Sequence, residues 1–345
     1  MTSIQVLSGQ AFLGEELALR PADIVIEEGI ITAIEERTAA PPLWICPGFF
    51  NSHTHLGDTV AMDCTMNGDL VALVTPPEGL KHRILAGTPR QDLVAGIRAS
   101  IKGMAAAGTF GCADFREGGI DGVRAFREAA SGLPFRPVVF GRDGGEREAE
   151  GLGISSARDV DDVEHLVADA HQRGKMVAFH AGEHDAGDVG AALALDPDLL
   201  IHMTHATKKQ VRECAERAIP IVICPRSNWI LGVAANPRHP PLKMMLDIGC
   251  TVMIGTDNAM FVPPDLLSEM AFASAVYHVD PHVLIHAAVG GSVLAGSSFF
   301  IQKGSCAALF TVDPSRSALA FSRDPAASIV KRVCAGMIRN NVFNV

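Results

Sequence analysis

The middle of the chain repeats one pattern: a short apolar run, a polar loop, then an amphipathic helix. Eight runs are predicted strands, at 45–52, 109–115, 136–140, 151–154, 176–180, 199–202, 219–224 and 251–256. Most are apolar without alternation, as strands covered on both faces are. Helices are predicted over 91–107, 158–173, 208–218, 242–248, 265–277 and 281–294. In the first, Leu93, Val94, Ile97, Ile101 and Met104 share a face. In the second, Val160, Val163, Leu166, Val167 and Ala170 do, with Ser156 and Asp159 as candidate caps and Gly174 as the stop. Eight such units make an α/β fold, a (β/α)8 TIM barrel. A doubly wound open sheet is the competing architecture. Polar residues close nearly every run, which favours the barrel, because a barrel builds its site at those ends.

The two ends of the chain read differently. Short strands with turns are predicted at 4–7, 23–27 and 31–34, and again at 307–312, 318–321, 328–333 and 336–339. They imply a small β-domain assembled from both termini, residues 1–45 plus 300–345, around a barrel of residues 46–299. Of the 345 residues, 48% are hydrophobic, enough for a sizeable core. The formal charge of −10 argues against nucleic-acid or anionic-membrane partners. Met1-Thr2-Ser3-Ile4 has no basic leader character, and no run reaches the ~18 apolar residues of a membrane span. The eight cysteines form no Cys-x-x-Cys pair and sit mostly in apolar runs, as buried thiols of a reducing cytoplasm do. A homodimer is the base-rate expectation for assembly.

Four strand ends carry the chemistry. The first closes on His53-Thr54-His55, and side chains two apart on a strand face the same side. Two converging imidazoles suit a divalent metal, although such a pair is common without one. The fifth closes on His180-Ala181-Gly182-Glu183, where an imidazole could be a third ligand and the carboxylate a proton shuttle. The sixth closes on His202, with His205 three residues on as a loop group. The eighth is strongly apolar yet ends in Asp257, a carboxylate that needs a cation or strong donors if buried. All four would meet at one rim of a barrel, where the first and eighth strands are neighbours.

With these motifs in order, the chain resembles the amidohydrolase superfamily, in its branch of cytosine, guanine and adenosine-type deaminases and chlorohydrolases. The matching pieces are Pro47 to His55, His180 to Glu183, His202, Cys224-Pro225-Arg226-Ser227-Asn228 and Gly255-Thr256-Asp257-Asn258. The resemblance implies a composite β-sandwich from the two termini. It implies one divalent metal, Zn2+ or alternatively Fe2+, held by His53, His55, His180 and Asp257. His202 would orient the activated water, Glu183 would protonate the ring and leaving group, and Asp257 would take the proton from water. The reaction implied is addition of water to an amino-bearing carbon of a small purine- or pyrimidine-like heterocycle, with release of ammonia. Binuclear relatives carry a bridging lysine after the fourth strand. Here the nearest is Lys175, so one metal is expected.

Several polar residues are candidates for substrate contact: Lys81, His82 and Arg83 in the segment 56–90, Arg116 and Glu117 after the second strand, Arg142 after the third, and Arg226 and Asn228. The alternative is a solvated surface loop for the first three, a rim ion pair for Arg116, Glu117, Arg142 and Arg226, and a turn anchor for Asn228. The same site would serve a cyclic amidase or a chlorohydrolase. A metal-binding protein without turnover is the alternative of another class.

Overall fold

The computed structural model describes residues 4–65 and 68–343. Its centre is a parallel sheet of nine segments. The successive strands are Phe49–His55, Thr109–Arg116, Arg136–Gly141, Gly151–Ile154, Met176–Ala181, Leu199–His202, Ile221–Ile223, and then Val252–Ile254 with Asp257–Asn258. The last two segments belong to one run. Val252–Ile254 pairs with the seventh strand and Asp257–Asn258 with the first. Between them, the Gly255 N–H donates to Ile223 O (2.9 Å) and the Thr256 N–H to His53 O (3.0 Å). A buried amide adds to this seam: Asn51 Nδ2 donates to Thr256 Oγ1 (2.8 Å), and its Oδ1 accepts from the Thr256 N–H (3.1 Å). The sheet therefore curls round until its two ends meet, in the manner of a TIM barrel.

The first strand is shorter at its start than the apolar run suggests. Residues 45–52 are not one strand but parts of two, divided at Gly48. A Cβ at Gly48 would lie 2.4 Å from Phe110 Cδ2, so only glycine lets the chain pass there from one sheet to the other. Before it, Trp44–Pro47 pairs with the two ends of the chain. The resulting six-stranded sheet takes Ile338–Phe343, Ala308–Val312, Trp44–Pro47, Ile4–Leu13, Ala18–Glu27 and Ile30–Glu36 in that order. Ala11, Ile24, Ile26, Ile45, Ile301 and Leu309 bury together on it, apart from the barrel core.

Two predicted terminal strands are not strands. Residues 318–321 form a 3-10 turn, and 328–333 fall in a helix, Pro325–Arg332. Asp324 caps that helix, accepting from the Ala327 N–H (3.0 Å), and Pro325 opens it. Ala326, Ile329 and Val330 form its buried stripe, which packs against the helices Leu266–Tyr277 and Pro281–Gly290. The helix predicted over 158–173 begins only at Val163. Ser156, a candidate cap, instead donates to Asp188 Oδ1 (2.8 Å). Helices Gly119–Ala130 and Ala186–Leu193 were not predicted, because their glycines mask the helical pattern. Among the described residues, no helix is long and apolar enough to cross a membrane.

Gly255 is where the eighth strand crosses the first. A Cβ there would sit 2.7 Å from both Cβ and N of His53. Gly255→Ala is expected to cost about 1–3 kcal/mol through forced backbone shifts. Urea unfolding should show a lowered midpoint with an unchanged slope.

Candidate metal centre and active site

Each strand end delivers its side chain to one chamber. His53 and His55 leave the first strand, His180 the fifth, His202 the sixth and Asp257 the eighth. All five are buried. His53, His55 and Asp257 bring their donor atoms together, and so do His53, His180 and His202. Asp257 Oδ1 lies 3.2 Å from His53 Nε2 and 3.4 Å from His55 Nε2. His55 Nε2 lies 3.4 Å from His180 Nε2. The backbone is held in the left-handed region at His202 (φ 71°), Met203 (φ 52°) and Asp257 (φ 64°). Non-glycine residues seldom rest there, and such positions concentrate at functional sites.

The hydrogen bonds behind the rings fix their tautomers. His180 Nδ1 faces the carbonyl of Ile154 at 2.8 Å, so it must be the N–H. His55 Nδ1 faces Glu117 Oε1 at 2.8 Å, so it too donates. Both Nε2 atoms then present bare lone pairs to each other and to a carboxylate. Burial, above all, pushes His53 down to about 4 and His55 to about 3, and holds His180 well below the ordinary histidine range. The rings are therefore neutral at pH 7, the form that binds metal. Burial alone would raise Asp257, but its hydrogen bond to His53 and the neighbouring histidines hold it well below the usual carboxylate range. Donors held ~2.0–2.1 Å from a tetrahedral cation stand about 3.3–3.4 Å apart. The separations here are of that size, and a cation removes the repulsion between the facing lone pairs. The donor set fits a divalent metal.

Behind the histidines lies a layer of buried charge. Glu117 contacts Lys81 Nζ (2.7 Å) and the Arg116 guanidinium as well as His55. Lys81 also reaches Asp58 (3.0 Å) and Asn258 Oδ1 (3.3 Å). Arg116 lies 3.4 Å from Asp114, which accepts the Leu56 N–H (2.7 Å). Burial opposes ionisation of Glu117, but Lys81, His55 and Arg116 hold it well below its ordinary value. Its charge keeps the His55 ring in place and enriches its electrons, the usual task of a carboxylate behind a metal-binding histidine.

Residues 44–150 match the amidohydrolase family, and residues 149–303 match the adenosine deaminase family. A putative aminohydrolase of Methanothermobacter thermautotrophicus is 32% identical over 96% of this chain and 95% of its own length. The chain belongs to the amidohydrolase family. It is a hydrolase of carbon–nitrogen bonds other than peptide bonds. A 5-methylthioadenosine/S-adenosylhomocysteine deaminase of Natronomonas pharaonis is 25% identical over 99% of this chain and 91% of the relative. A zinc-containing adenosine deaminase structure from Xanthomonas campestris superposes with a TM-score of 0.82 at 18% identity, over 98% of this chain and 91% of that one.

In this amidohydrolase, His55, His180, His202 and Asp257 line a cavity of about 50 Å3 together with Glu183, His184, Lys81, Arg142 and Asn258. Glu183 Oε1 stands 3.6 Å from His202 Nε2. Burial raises the Glu183 carboxyl, against the pull of His202. Leu70, Val74, Thr75 and Pro76 roof the cavity. Leu70 and Val74 pack with Leu73, Leu80, Leu231, Val233 and Phe261 in a cluster separate from the barrel core. The segment holding Lys81 is helical, Leu80–Gly87, rather than an open loop.

The other candidates for substrate contact lie elsewhere. Arg83 is exposed, and His82 turns to the carbonyl of Val74 (3.1 Å). His82, Arg116 and Glu117 line a different hollow, of about 640 Å3. Asn228 is fully buried and donates to Thr204 Oγ1 (2.9 Å), which fixes its turn. Lys175 donates to the carbonyls of Arg147 (3.2 Å) and Ala149 (2.5 Å), at the opposite end of its strand from the donors. Two contributors were not foreseen. Asp58 has no motif around it, and Ser227, which donates to Asp257 Oδ2 (2.5 Å), sits in the Cys-Pro-Arg-Ser-Asn turn without any spacing rule to mark it.

Arg226 is a structural partner. Its Nε and its backbone N–H both donate to Glu269, at 2.6 and 2.7 Å. Burial raises Glu269 to about 7, with Arg226 opposing. The folded protein thus keeps a proton that the unfolded chain, near 4.5, releases. That contribution to stability is complete below about pH 4.5 and is lost as pH rises to about 7. Chemical denaturation of wild type and Glu269→Gln across this range should show the wild type losing on the order of 3 kcal/mol relative to the variant.

Proposed function

We propose that this amidohydrolase is a zinc-dependent aminohydrolase that releases ammonia from a small purine- or pyrimidine-like heterocycle. The observation that carries the reading is the pair of bare Nε2 atoms of His55 and His180, 3.4 Å apart beside an ionised Asp257, with Glu183 at the same cavity. His53, His55, His180 and Asp257 would hold the metal. When bound, a divalent cation lowers the pKa of water from 15.7 towards ~7 and so supplies a nucleophile at neutral pH.

The chain's own residues do the rest. Asp257, steadied by Ser227, accepts the proton that the attacking water loses. Glu183, raised by burial, carries the proton that the ring nitrogen and then the departing amine need. Among the described residues His202 has no hydrogen-bond partner at either ring nitrogen, so it is free to orient the water. Its 3.6 Å approach to Glu183 links the two proton carriers.

The zinc assignment is supported by the donor set and by the zinc in the Xanthomonas campestris structure. The separate apolar cluster of the six-stranded sheet supports a composite β-sandwich domain, residues 1–45 plus 300–345, beside a barrel domain of 46–299. Eight free cysteines, six of them buried, suit a reducing cytoplasm.

Elemental analysis of the native protein should find about one zinc per chain, and the same sample should release ammonia from a member of this substrate class. Halide release or ring opening without ammonia would overturn the aminohydrolase reading, and iron in place of zinc would overturn the metal assignment. Glu183→Gln should retain the metal and lower kcat about 10²–10⁴-fold. Glu117→Ala should instead weaken zinc binding about 10–100-fold, read by competition with a chelating dye.

A further inference from the structure

The third barrel strand ends at Gly141, and the next residue is Arg142. A tight turn fixes it there: the Gly145 N–H donates to Arg142 O (2.9 Å), and Gly144 takes φ 88°. A Cβ at Gly141 would sit 2.4 Å from the backbone of Gly145, so the turn lies directly against the strand. The Arg142 side chain is carried into the metal cavity, on the wall shared with His180, Glu183 and Ser155. It is 9% exposed, yet its Nε and Nη2 atoms are buried without any hydrogen-bond partner among the described residues.

These two nitrogens lie along one edge of the guanidinium plane. That edge is the fork that meets two oxygens of one carboxylate. Every other buried cation of the site has a carboxylate partner: Lys81 has Asp58 and Glu117, and Arg116 has Asp114 and Glu117. Asp159 lines the same cavity but does not reach the Nε or Nη2 atom of Arg142. A buried, unpaired guanidinium edge is costly to maintain, and a ligand that supplies two acceptors removes the cost.

We propose that Arg142 is a specificity-determining residue, and that the substrate carries a carboxylate which its Nε/Nη2 edge receives. The inference rests on the aminohydrolase reading of the same cavity and narrows its substrate class to acidic amino-heterocycles. The ring then lies between two fixed points, the donor cluster at one end and the fork at the other.

The test is calorimetric binding to the zinc-loaded protein. The probes are 4-aminopyrimidine, adenine and 2-amino-1,3,5-triazine, each compared with a form bearing a carboxylate substituent. The wild type should bind at least one carboxylated probe tenfold or more tighter than its parent. Arg142→Gln should abolish that preference. Arg142→Lys, which keeps the charge but not the fork, should lose most of it, and it decides the matter if the glutamine variant does not fold. Equal binding of every pair, or a preference that survives in either variant, overturns the proposal. Ammonia release from the same probes is scored separately. An Arg142-dependent preference without ammonia leaves this inference standing and removes the aminohydrolase reading. Ammonia without the preference does the reverse.

Discussion

Two nitrogen lone pairs and a carboxylate oxygen are forced together in a buried chamber, and the rest of the architecture serves to keep them there. Neutral imidazoles would turn away from one another if free to do so. The carbonyl of Ile154 and the carboxylate of Glu117 deny His180 and His55 that freedom by occupying their Nδ1 protons. Left-handed backbone at His202 and Asp257 adds local strain, which only a closed and well-packed barrel can sustain. The seam between the first and eighth strands, with its Asn51–Thr256 clip, is therefore part of the site as much as of the scaffold.

The charged layer beneath has a related logic. Lys81, Arg116, Asp58, Asp114 and Glu117 are all out of water. Ions in such a place are tolerated when each has a partner at contact distance, and the removal of one strands the others. Glu117 is the shared member, since it touches both cations and His55. A change anywhere in this layer is transmitted to a ring that faces the chamber.

The strand-end residues were legible because each interrupts an apolar run. His53, His55, His180, His202 and Asp257 are polar groups at places where burial is costly without a compensating reason, and position along a parallel strand sets the direction they face. Lys81 was noticed, but its helix was not, since 80–87 has only a weak apolar stripe. Asp58 and Ser227 are hidden, because each lies in a helical segment of only six residues, too short to show a period, and tertiary packing places its side chain. The break at Gly48 is hidden too: Ile45 to Ser52 reads as one strand, and only the Phe110 ring that fills the space beside Gly48 explains the division. At the other end, Asp324-Pro325 was a readable helix start that the apolar character of Ile329 to Val333 outweighed.

The roof over the chamber has its own small apolar cluster and shares none of the barrel's. The space beneath it, about 50 Å3, has room for one or two water molecules, whereas pockets that hold drug-sized ligands run to hundreds of Å3. Under the proposed function, a ring-sized guest would need the segment from Leu70 to Pro76 to give way. Leu70 and Val74 pack in that small cluster with Leu73, Leu231 and Val233, apart from the strands that aim the histidines. Under the proposed function, substitutions at Leu73, Leu231 or Val233 would therefore act on entry to the chamber and not on the reacting atoms.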